Sequence, residues 1–250
     1  MSGTDFGAAA EWRTIFAIRI VLRRKNRKRM TQDFLQVTGI VLKSIPVGEY
    51  DRAVTILTKE KGKISAFARN ARKQNNRFMA AVSPFCFGKF KLYAGRNSYT
   101  MAEAEIDNYF EELRSDLENI YYGMYFLEVA DYYTRENNAE AEMLKLLYQS
   151  LRALLHKNLD NRLVRAVYEC KAMAVNGEFP GVPGDRELSE SAAYTLQFIA
   201  VTPVERLYTF TVTESVLLEL QEVAAKYREK IWGHSFKSLE MLEGWNNEYQ

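Results

Sequence analysis

The spacing of apolar residues changes once along this chain, near Phe110. Before that residue, short segments rich in β-branched residues alternate apolar with polar side chains, which predicts half-buried β-strands. After it, apolar residues recur three or four positions apart, which predicts amphipathic helices. The first helical series is Leu113, Leu117, Ile120, Met124 and Leu127. The fold class is therefore predicted to be α+β, with a strand-rich N-terminal part and an all-helical C-terminal part.

Five strands are predicted in an N-terminal domain, residues 30–108. Their ranges are Val37–Ile45, Ala53–Thr58, Lys63–Ala68, Pro84–Tyr93 and Ser98–Glu105. We expect a bulge near Gly39 in the first strand, and a longer insert, Asn70–Ser83, between the third and fourth strands. This number of short strands, with an insert at this place, predicts a five-stranded OB-type β-barrel.

A C-terminal domain, residues 109–250, is predicted to be a helical bundle. Cys170 lies on one of its apolar stripes and is expected to be a buried, unreactive thiol. The segment Glu178–Ser189 contains two prolines and two glycines, which indicates a loop. The motif Thr211-Val-Thr-Glu214 has the spacing of a capping box and is expected to open a long helix that runs through Ile231.

The first 29 residues have a different composition, with eight Lys/Arg and two Asp/Glu. We expect them to be a poorly ordered extension, because the barrel pattern begins only after Met30. A basic tail that contacts nucleic acid or a membrane surface is the alternative. The apolar run Thr14–Leu22 is too short to span a bilayer and contains Arg19, so no membrane-spanning segment is expected.

Charge is distributed unevenly, although the net charge is only +2. Residues 30–107 carry twelve Lys/Arg against seven Asp/Glu, whereas residues 108–250 carry fourteen against twenty-three. A basic surface attracts phosphate groups and an acidic surface repels them. We therefore expect nucleic acid to bind the barrel, and protein partners to bind the helical domain.

The segment Lys59–Arg77 concentrates the positive charge, with seven Lys/Arg and one acid, Glu60. Arginine guanidinium groups and the neighbouring Asn and Gln amides are suited to phosphate oxygens. No predicted helix is suited to a major groove, so binding to the phosphate backbone with little sequence preference is expected. The predicted nucleic-acid-binding residues are Lys59, Lys61, Lys63, Arg69, Arg72, Lys73, Arg77, Lys89, Lys91 and Arg96.

Aromatic residues are the second requirement of an OB barrel that binds single strands, because bases stack on them. The available residues are Phe67, Phe78, Phe85, Phe87, Tyr93 and Tyr99. Most of them are expected in the barrel core. Phe78, which follows Arg77, and Tyr99, which lies beside a hairpin turn, are expected to be the exposed exceptions.

Catalytic and metal-binding motifs are absent from the sequence. His156 and His234 lie far apart without a neighbouring Cys, and Cys86 and Cys170 do not form a CxxC pair. No phosphate-binding P-loop, HExxH, GxSxG or GxGxxG motif occurs. We therefore expect a protein that is not an enzyme and has no cofactor. The two unpaired cysteines indicate a reducing, cytoplasmic compartment.

Several motifs, in their order and spacing, resemble those of the RecO family of bacterial recombination mediators. They are Thr38-Gly-Ile-Val-Leu-Lys43, Gly48-Glu-Tyr-Asp-Arg52, Leu57-Thr-Lys-Glu-Lys-Gly-Lys63, Ala68-Arg-Asn-Ala-Arg-Lys73 with Arg77, Pro84-Phe85, and Phe110-Glu-Glu-Leu-Arg114 with Asp116-Leu117. The resemblance extends from about Met30 to Leu242, and its motifs are specific only in the first half.

The resemblance implies a role in DNA repair and recombination, in the cytoplasm and at the nucleoid. It implies binding of single- and double-stranded DNA and annealing of complementary strands. It also implies that RecR is a partner in loading RecA onto DNA coated by single-strand-binding protein. The residues themselves leave open an OB-containing adaptor, or an RNA-binding protein without annealing activity, because no reader of the 2′-hydroxyl is identifiable.

Two positions depart from the pattern of that family. Many relatives carry a four-cysteine zinc module after the helix that here ends at Gly177. The segment Glu178–Ser189 contains neither Cys nor His, so no zinc is predicted. Asn70 stands where family members often have Gly, and we expect the turn to survive because Asn tolerates a left-handed backbone.

The resemblance also suggests a ligand for the helical domain, namely the C-terminal tail of single-strand-binding protein. That tail is an acidic peptide ending in an apolar residue, so it needs an apolar pocket rimmed by cations. The predicted partner-binding residues are Lys145, Arg152, Arg162 and Arg165, with Lys157 and Lys171 nearby. The alternative is that these cations pair with the surplus acids and keep the bundle soluble.

Overall fold

The computed structural model describes residues 34–95, 98–184 and 188–249, without the side chains of 246–249. The predicted extension 1–29 and Arg96 lie outside the described residues. Leu35–Gln250 form one compact unit. No described helix is both long enough and apolar enough to cross a membrane.

Five strands form a closed barrel in the order β1-β2-β3-β5-β4. Their ranges are Phe34–Val47 (β1), Asp51–Thr58 (β2), Gly62–Ala68 (β3), Phe87–Ala94 (β4) and Tyr99–Asn108 (β5). Strand β3 pairs with β5 in parallel, and the pairs β1–β2, β2–β3 and β4–β5 are antiparallel. The barrel closes between β4 and β1. Next to this closure, the Val41 N–H donates to the Cys86 carbonyl at 2.9 Å. The predicted OB-type barrel is thereby confirmed.

The β-bulge in β1 differs from the expectation. The register shifts between Val41 and Lys43, so the bulge lies at Leu42 and not near Gly39. Gly39 instead allows a close approach of strands, because a Cβ there would lie 2.3 Å from the Leu57 carbonyl oxygen. The bulge places two successive side chains, Leu42 and Lys43, on the outer face of the barrel, where both meet the helices.

Eight α-helices are described, one between β3 and β4 and seven after β5. They are α1 (Phe78–Ala81), α2 (Glu111–Arg114), α3 (Leu117–Tyr133), α4 (Ala141–Ala153), α5 (Asn161–Val175), α6 (Glu190–Val201), α7 (Glu214–Tyr227) and α8 (Lys237–Tyr249). Helix α1 lies in the insert between β3 and β4, and the all-helical C-terminal part is confirmed. Strand β5 and helix α2 flank the predicted domain boundary, and that division remains a prediction.

The start and end of α7 also differ from the expectation. Its capping residue is Thr213 and not Thr211, because the Thr213 hydroxyl accepts a hydrogen bond from the Val216 N–H. The α-helix ends at Tyr227, and the chain continues as a π-helical turn, Arg228–Trp232. Short π-helical turns are frequent at functional sites. Arg228, the first residue of this turn, donates to the buried Glu169 carboxylate.

The barrel and the helices contain two apolar cores. The barrel interior holds residues such as Val54, Ile64 and Phe90. The helical core includes Ile40 and Leu42 from the outer face of β1, and Leu57 from that of β2. One end of the outer β1–β2 face is therefore covered by helices, and the rest of that face remains accessible.

The β2–β3 turn is held by the loop between α3 and α4. The Lys63 N–H donates to the Arg135 carbonyl at 3.0 Å, and the Asn137 N–H donates to the Lys61 carbonyl at 2.9 Å. Gly62 has a positive φ of 65°, and a Cβ there would lie 2.2 Å from the Arg135 oxygen. Glycine is thus required at this turn, which fixes one end of the barrel against the helices.

Candidate nucleic-acid interface

Strand β3 separates the basic stretch of the sequence into two groups. Lys59 and Lys61 lie at the end of the barrel that contacts the α3–α4 loop. Arg69 and Arg72 follow the other end of β3, and a seven-residue strand spans roughly 23 Å. The cations that are contiguous in sequence therefore do not form one patch. We call the second end, formed by Gly48–Tyr50 and Arg69–Lys73, the open end of the barrel.

Hydrogen bonds fold the segment after β3 onto the β1–β2 turn. Asn70 has a φ of 56°, which confirms the left-handed turn expected from the sequence. Its N–H donates to Asp51 Oδ1 at 2.7 Å. The Arg72 N–H donates to the Tyr50 carbonyl at 2.8 Å, and Arg72 Nη1 donates to the Gly48 carbonyl at 3.2 Å. These contacts fix the main chain that carries Arg69, Arg72 and Lys73.

Tyr50 is an exposed aromatic residue at the open end that sequence reasoning missed. Its side chain is 41% exposed, and Lys73 Nζ lies 4.7 Å from the centroid of its ring. An ammonium over a ring face is attracted by the ring quadrupole. The pair offers a base-stacking surface beside a phosphate-binding cation. Only the folding of the Arg69–Lys73 segment onto the turn brings these two residues together.

A second exposed aromatic residue, Phe67, lies on the outer face of β3. Pairing places Ile45, Ala53 and Phe67 in one row across β1, β2 and β3. Phe67 is 38% exposed and Ile45 is 58% exposed. Because side chains alternate along a strand, Phe67 shares its face with Ser65 and approaches Arg69 at the strand end. This row is an apolar surface next to the open end.

The prediction that Phe78 is exposed is wrong. Phe78 is 5% exposed and packs in the barrel core from helix α1. The Arg77 guanidinium lies 4.8 Å from its ring centroid and donates to the Ala102 carbonyl. Arg77 therefore stabilises the insert. Tyr99, the other expected exception, is half-buried and donates to Glu136 at 3.4 Å.

Lys63 points away from the open end and pairs with Asp131 on α3. Its Nζ lies 3.1 Å from Asp131 Oδ1 and donates to the Asp131 carbonyl at 2.5 Å. Lys43 Nζ lies 2.6 Å from Asp131 Oδ2. Burial opposes ionisation of this carboxyl, but the two lysines prevail and lower its pKa. One carboxylate thus holds two barrel cations, and the three groups together keep one net positive charge.

The lysines of β4 face glutamates of β5. Lys89 lies directly opposite Glu105, and Lys91 lies opposite Glu103, with 3.5 Å between Lys91 Nζ and Glu103 Oε2. Opposite charges at such cross-strand positions attract each other. The described part of the β4–β5 face is therefore close to neutral, unlike the open end.

The open end carries three cations, Arg69, Arg72 and Lys73, and one acid, Glu49. Within the parts of the chain that the structure describes, no carboxylate forms an ion pair with Arg69, Arg72 or Lys73. Lys59 and Lys61 also have no ion pair there, but they lie at the helical end. Cations with exposed aromatic residues can bind phosphate and stack bases.

Groups of three metal-binding side chains are not found among the described residues. Both cysteines are buried and unpaired, and burial raises the pKa of the Cys170 thiol, which confirms the buried thiol expected there.

Three predicted cations of the helical part, Lys145, Arg162 and Arg165, are held by carboxylates. Lys145 pairs with Glu142 at 2.7 Å and with Glu205 at 2.9 Å. Arg162 binds Glu214 with two nitrogens, at 2.9 and 3.0 Å. Its pKa is raised by hydrogen bonds to Asp160 and Glu214. These pairs are what the solubility alternative expects, and the partner-binding role remains a prediction.

Arg165 belongs to a buried network around Glu169. The Glu169 side chain is 1% exposed and accepts hydrogen bonds from Arg165 and Arg228 at 2.9 Å and from Tyr125 at 2.7 Å. Burial raises the pKa of its carboxyl, but the two arginines outweigh burial and lower it. Glu243 on α8 accepts from Arg165 at 3.0 Å on the solvent side.

Three of the four predicted partner-binding residues line cavities, and they line two separate ones. Arg162, Arg165 and Arg228 line a cavity of about 300 Å³, which we call the arginine cavity. Its wall also includes Ala166 and the half-exposed Leu218. Arg152 lines a different cavity, and Lys145 contacts Glu205 beside it.

Lys171, expected near this group, lies elsewhere. It is buried and donates to the carbonyls of Ala200 and Thr202, at 2.9 and 2.7 Å, at the end of α6.

Two family models match the sequence of this chain. The model described as Recombination protein O N terminal matches residues 19–110, which include all five strands. The model described as Recombination protein O C terminal matches residues 114–182, from α2 to the loop after α5. The first match begins before Met30.

Proteins called DNA repair protein RecO resemble the chain over most of its length. The one from Acetivibrio thermocellus is 27% identical over 243 residues, which cover 84% of this chain and 97% of that protein. The one from Clostridium novyi is 25% identical, over 82% of this chain and 91% of that protein. The one from Bacillus pumilus is 34% identical over 142 residues, 57% of this chain and 55% of that protein.

Proposed function

Because this chain belongs to the RecO family of DNA repair and recombination proteins, we propose that it is a recombination mediator that acts by binding and not by catalysis. It binds single- and double-stranded DNA and anneals complementary strands. With RecR, it helps RecA to load onto DNA coated by single-strand-binding protein. This work takes place in the cytoplasm, at the nucleoid.

The open end of the barrel supports the DNA-binding step. Arg69, Arg72 and Lys73 have no carboxylate partner among the described residues, and Tyr50 and Phe67 are exposed beside them. Such a surface binds phosphates through the cations and bases through stacking. It contains no side-chain pattern for reading base edges, so sequence preference is weak.

Binding at two or more salt concentrations tests this function. The purified chain is titrated with labelled single-stranded DNA, duplex DNA and single-stranded RNA of matched length. If roughly four to six phosphates are neutralised, the log–log salt slope on single strands is about −3 to −4. Salt-independent binding or a strong preference for one sequence contradicts the proposal. Binding restricted to RNA favours the RNA-binding alternative, and no binding favours the adaptor.

Annealing is measured separately, because a generic basic surface also binds DNA. Two complementary strands carry a donor and an acceptor fluorophore, and the rise in energy transfer reports their pairing. The parent chain is expected to accelerate annealing, and the Arg69→Ala, Arg72→Ala, Lys73→Ala variant is expected to lose that acceleration. An adaptor with an incidental basic surface gives no acceleration in either form.

The arginine cavity is proposed as the site for the acidic C-terminal tail of single-strand-binding protein. The lining combines three arginines and the apolar residues Ala166 and Leu218 with three glutamates, Glu169, Glu222 and Glu243. A peptide with carboxylates and an apolar end can bind there if its carboxylates displace a glutamate from the arginines. The half-exposed Glu243 carboxylate already bridges Arg165, at 3.0 Å, and Arg228, at 3.6 Å. An incoming carboxylate can replace it there.

Fluorescence titration with a labelled tail peptide tests this site. Arg162→Ala is the preferred variant, because Arg162 is at the rim and does not contact the buried Glu169. We expect it to weaken peptide binding about tenfold, in line with the loss of a charge-assisted contact. Lys237→Ala, an exposed cation outside the cavity lining, serves as the control. Equal binding by both variants places the tail elsewhere.

A further inference from the structure

Asp131 lies at the junction between the proposed DNA-binding face and the helices. Its carboxylate holds Lys43 at 2.6 Å and Lys63 at 3.1 Å, and its main-chain carbonyl holds Lys63 as well, at 2.5 Å. The side chain of Asp131 is 20% exposed, and that of Lys43 is 47% exposed. The contact is therefore at the surface, where DNA and Asp131 compete for the same cations.

Lys43 and Lys63 lie on the same outer face of the barrel as Phe67. Along β3, Lys63, Ser65 and Phe67 point to the same side, since side chains alternate. Lys43 lies in the row of Thr55 and Ser65, one row from Phe67, which is about 7 Å along the strand. Phe67, Lys43 and Lys63 thus lie on one outer face of the barrel, and Lys43 and Lys63 are the cations of that face that Asp131 holds.

We propose that Asp131 sets the edge of the DNA footprint on the barrel, by holding Lys43 and Lys63 away from phosphate. The inference rests on the proposed DNA-binding function and deepens it. A lysine that remains in an ion pair releases no counterion when DNA binds, so it does not contribute to the salt slope. Asp131 is thus a positioning residue that limits how many phosphates the protein neutralises.

The variant Asp131→Asn tests this inference in the full chain. The probe is a fluorescein-labelled oligothymidylate, and the observable is the log–log salt slope of its affinity. Release of one or two lysines makes the slope more negative by about 0.7 to 1.4, because each phosphate contact on a single strand contributes about 0.7. The affinity at low salt rises accordingly. A slope equal to that of the parent overturns the inference.

Glu118→Gln is the matched control. It removes the same charge from the same helix α3, but no hydrogen bond or ion pair joins Glu118 to the barrel among the described residues. If Glu118→Gln steepens the slope as much as Asp131→Asn, the effect is one of net charge and the inference is wrong.

Lys43→Ala provides a second test that does not disturb the junction carboxylate. In the parent it leaves DNA affinity within about a factor of two, because Lys43 is already engaged. In the background of Asp131→Asn it removes about 0.7 of the gained slope. A clear loss of affinity on Lys43→Ala alone overturns the inference, even if Asp131→Asn does not fold.

The two proposals fail in different ways. A parent chain that binds no DNA refutes the proposed function and this inference together. A parent that binds with the expected slope, combined with an unchanged slope for Asp131→Asn, refutes the inference alone.

Discussion

The open end of the barrel and the helical part both contain clustered cations, but these cations have different neighbours. Arg69 and Arg72 have no ion pair among the described residues. Lys145, Arg162 and Arg165 each contact carboxylates within 3.0 Å. The difference shows that the position of the acids, more than the number of cations, decides where positive charge is available to a ligand.

The paired cations of the helical part have a structural role. Glu169 and Arg165 lie on α5 and are hydrogen-bonded to each other. The Glu169 carboxylate also accepts from Arg228 in the π-helical turn and from Tyr125 on α3, so it joins these three elements. Removal of one partner from a buried ion pair leaves the other charge without compensation, which is costly. Arg69, Arg72 and Lys73 at the open end have no ion pair among the described residues, so substitutions there are expected to change binding and not stability.

The variant Glu169→Gln is expected to have the largest effect and tests the structural side of this comparison. It leaves two arginines without a buried counter-charge, so the free energy of unfolding falls by about 3 kcal/mol. Urea denaturation measures the change, with Glu118→Gln as the control. A loss of less than about 0.5 kcal/mol, typical of surface substitutions, contradicts the structural role.

The pH dependence of stability gives a second readout of Glu169. Its folded-state pKa is lowered, so its contribution to stability is fully present above the unfolded pKa of about 4.3. That contribution is lost as the pH falls through the folded-state pKa. In Glu169→Gln this part of the acid destabilisation is expected to be absent.

The triple variant Arg69→Ala, Arg72→Ala, Lys73→Ala tests the binding side of the comparison. Loss of three phosphate contacts makes the salt slope on single strands less negative by about 2, and lowers the affinity roughly a hundredfold at low salt. The free energy of unfolding is expected to change by only about 0.5 kcal/mol, as at other surface positions. If the DNA affinity is unchanged, DNA binds at a surface other than the open end.

Phe67→Ala sharpens the comparison by separating stacking from charge. Stacking of one base on an aromatic side chain contributes about 1–3 kcal/mol, so the affinity for single strands falls about tenfold or more. The salt slope and the affinity for duplex DNA are expected to stay the same, because no charge changes. The control is Met79→Ala, which also removes an exposed apolar side chain but lies in the insert between β3 and β4. An equal loss for duplex and single strands indicates a general structural effect.

Lys89→Ala with Lys91→Ala is expected to have the smallest effect. Both lysines lie opposite glutamates of β5, so DNA affinity stays within about a factor of two of the parent. Gel-shift titration measures it beside the triple variant. If the affinity falls as much as in the triple variant, Lys89 and Lys91 bind DNA in spite of the glutamates opposite them.

Local sequence patterns were sufficient to predict the elements and several of their details. Strand β3 was predicted at Lys63–Ala68 and is found at Gly62–Ala68. The loop after α5, the buried Cys170 and the left-handed Asn70 were also predicted correctly. These features depend on periodicity and on the conformational preferences of single residues, which neighbouring residues in the sequence determine.

Details that depend on distant contacts were not predicted. Phe78 was expected to be exposed, but the insert folds back and packs it in the barrel core. The bulge was expected near Gly39, but it lies at Leu42, where the helices cover the outer face of β1. Tyr50 belongs to a family motif, but its use as a stacking surface was not predicted, because Lys73 lies above its ring only in the folded chain.

Residue patterns were sufficient to predict the family, the OB-type barrel with its helical partner, and the basic character of the barrel. Which barrel cations are available to a ligand depends on contacts that form only in the folded chain. Lys43 and Lys63 lie 88 and 68 residues from Asp131 in the sequence, yet the one Asp131 side chain forms an ion pair with both. The strength of an ion pair depends on distance in space and on desolvation, and neither quantity is contained in the order of the residues.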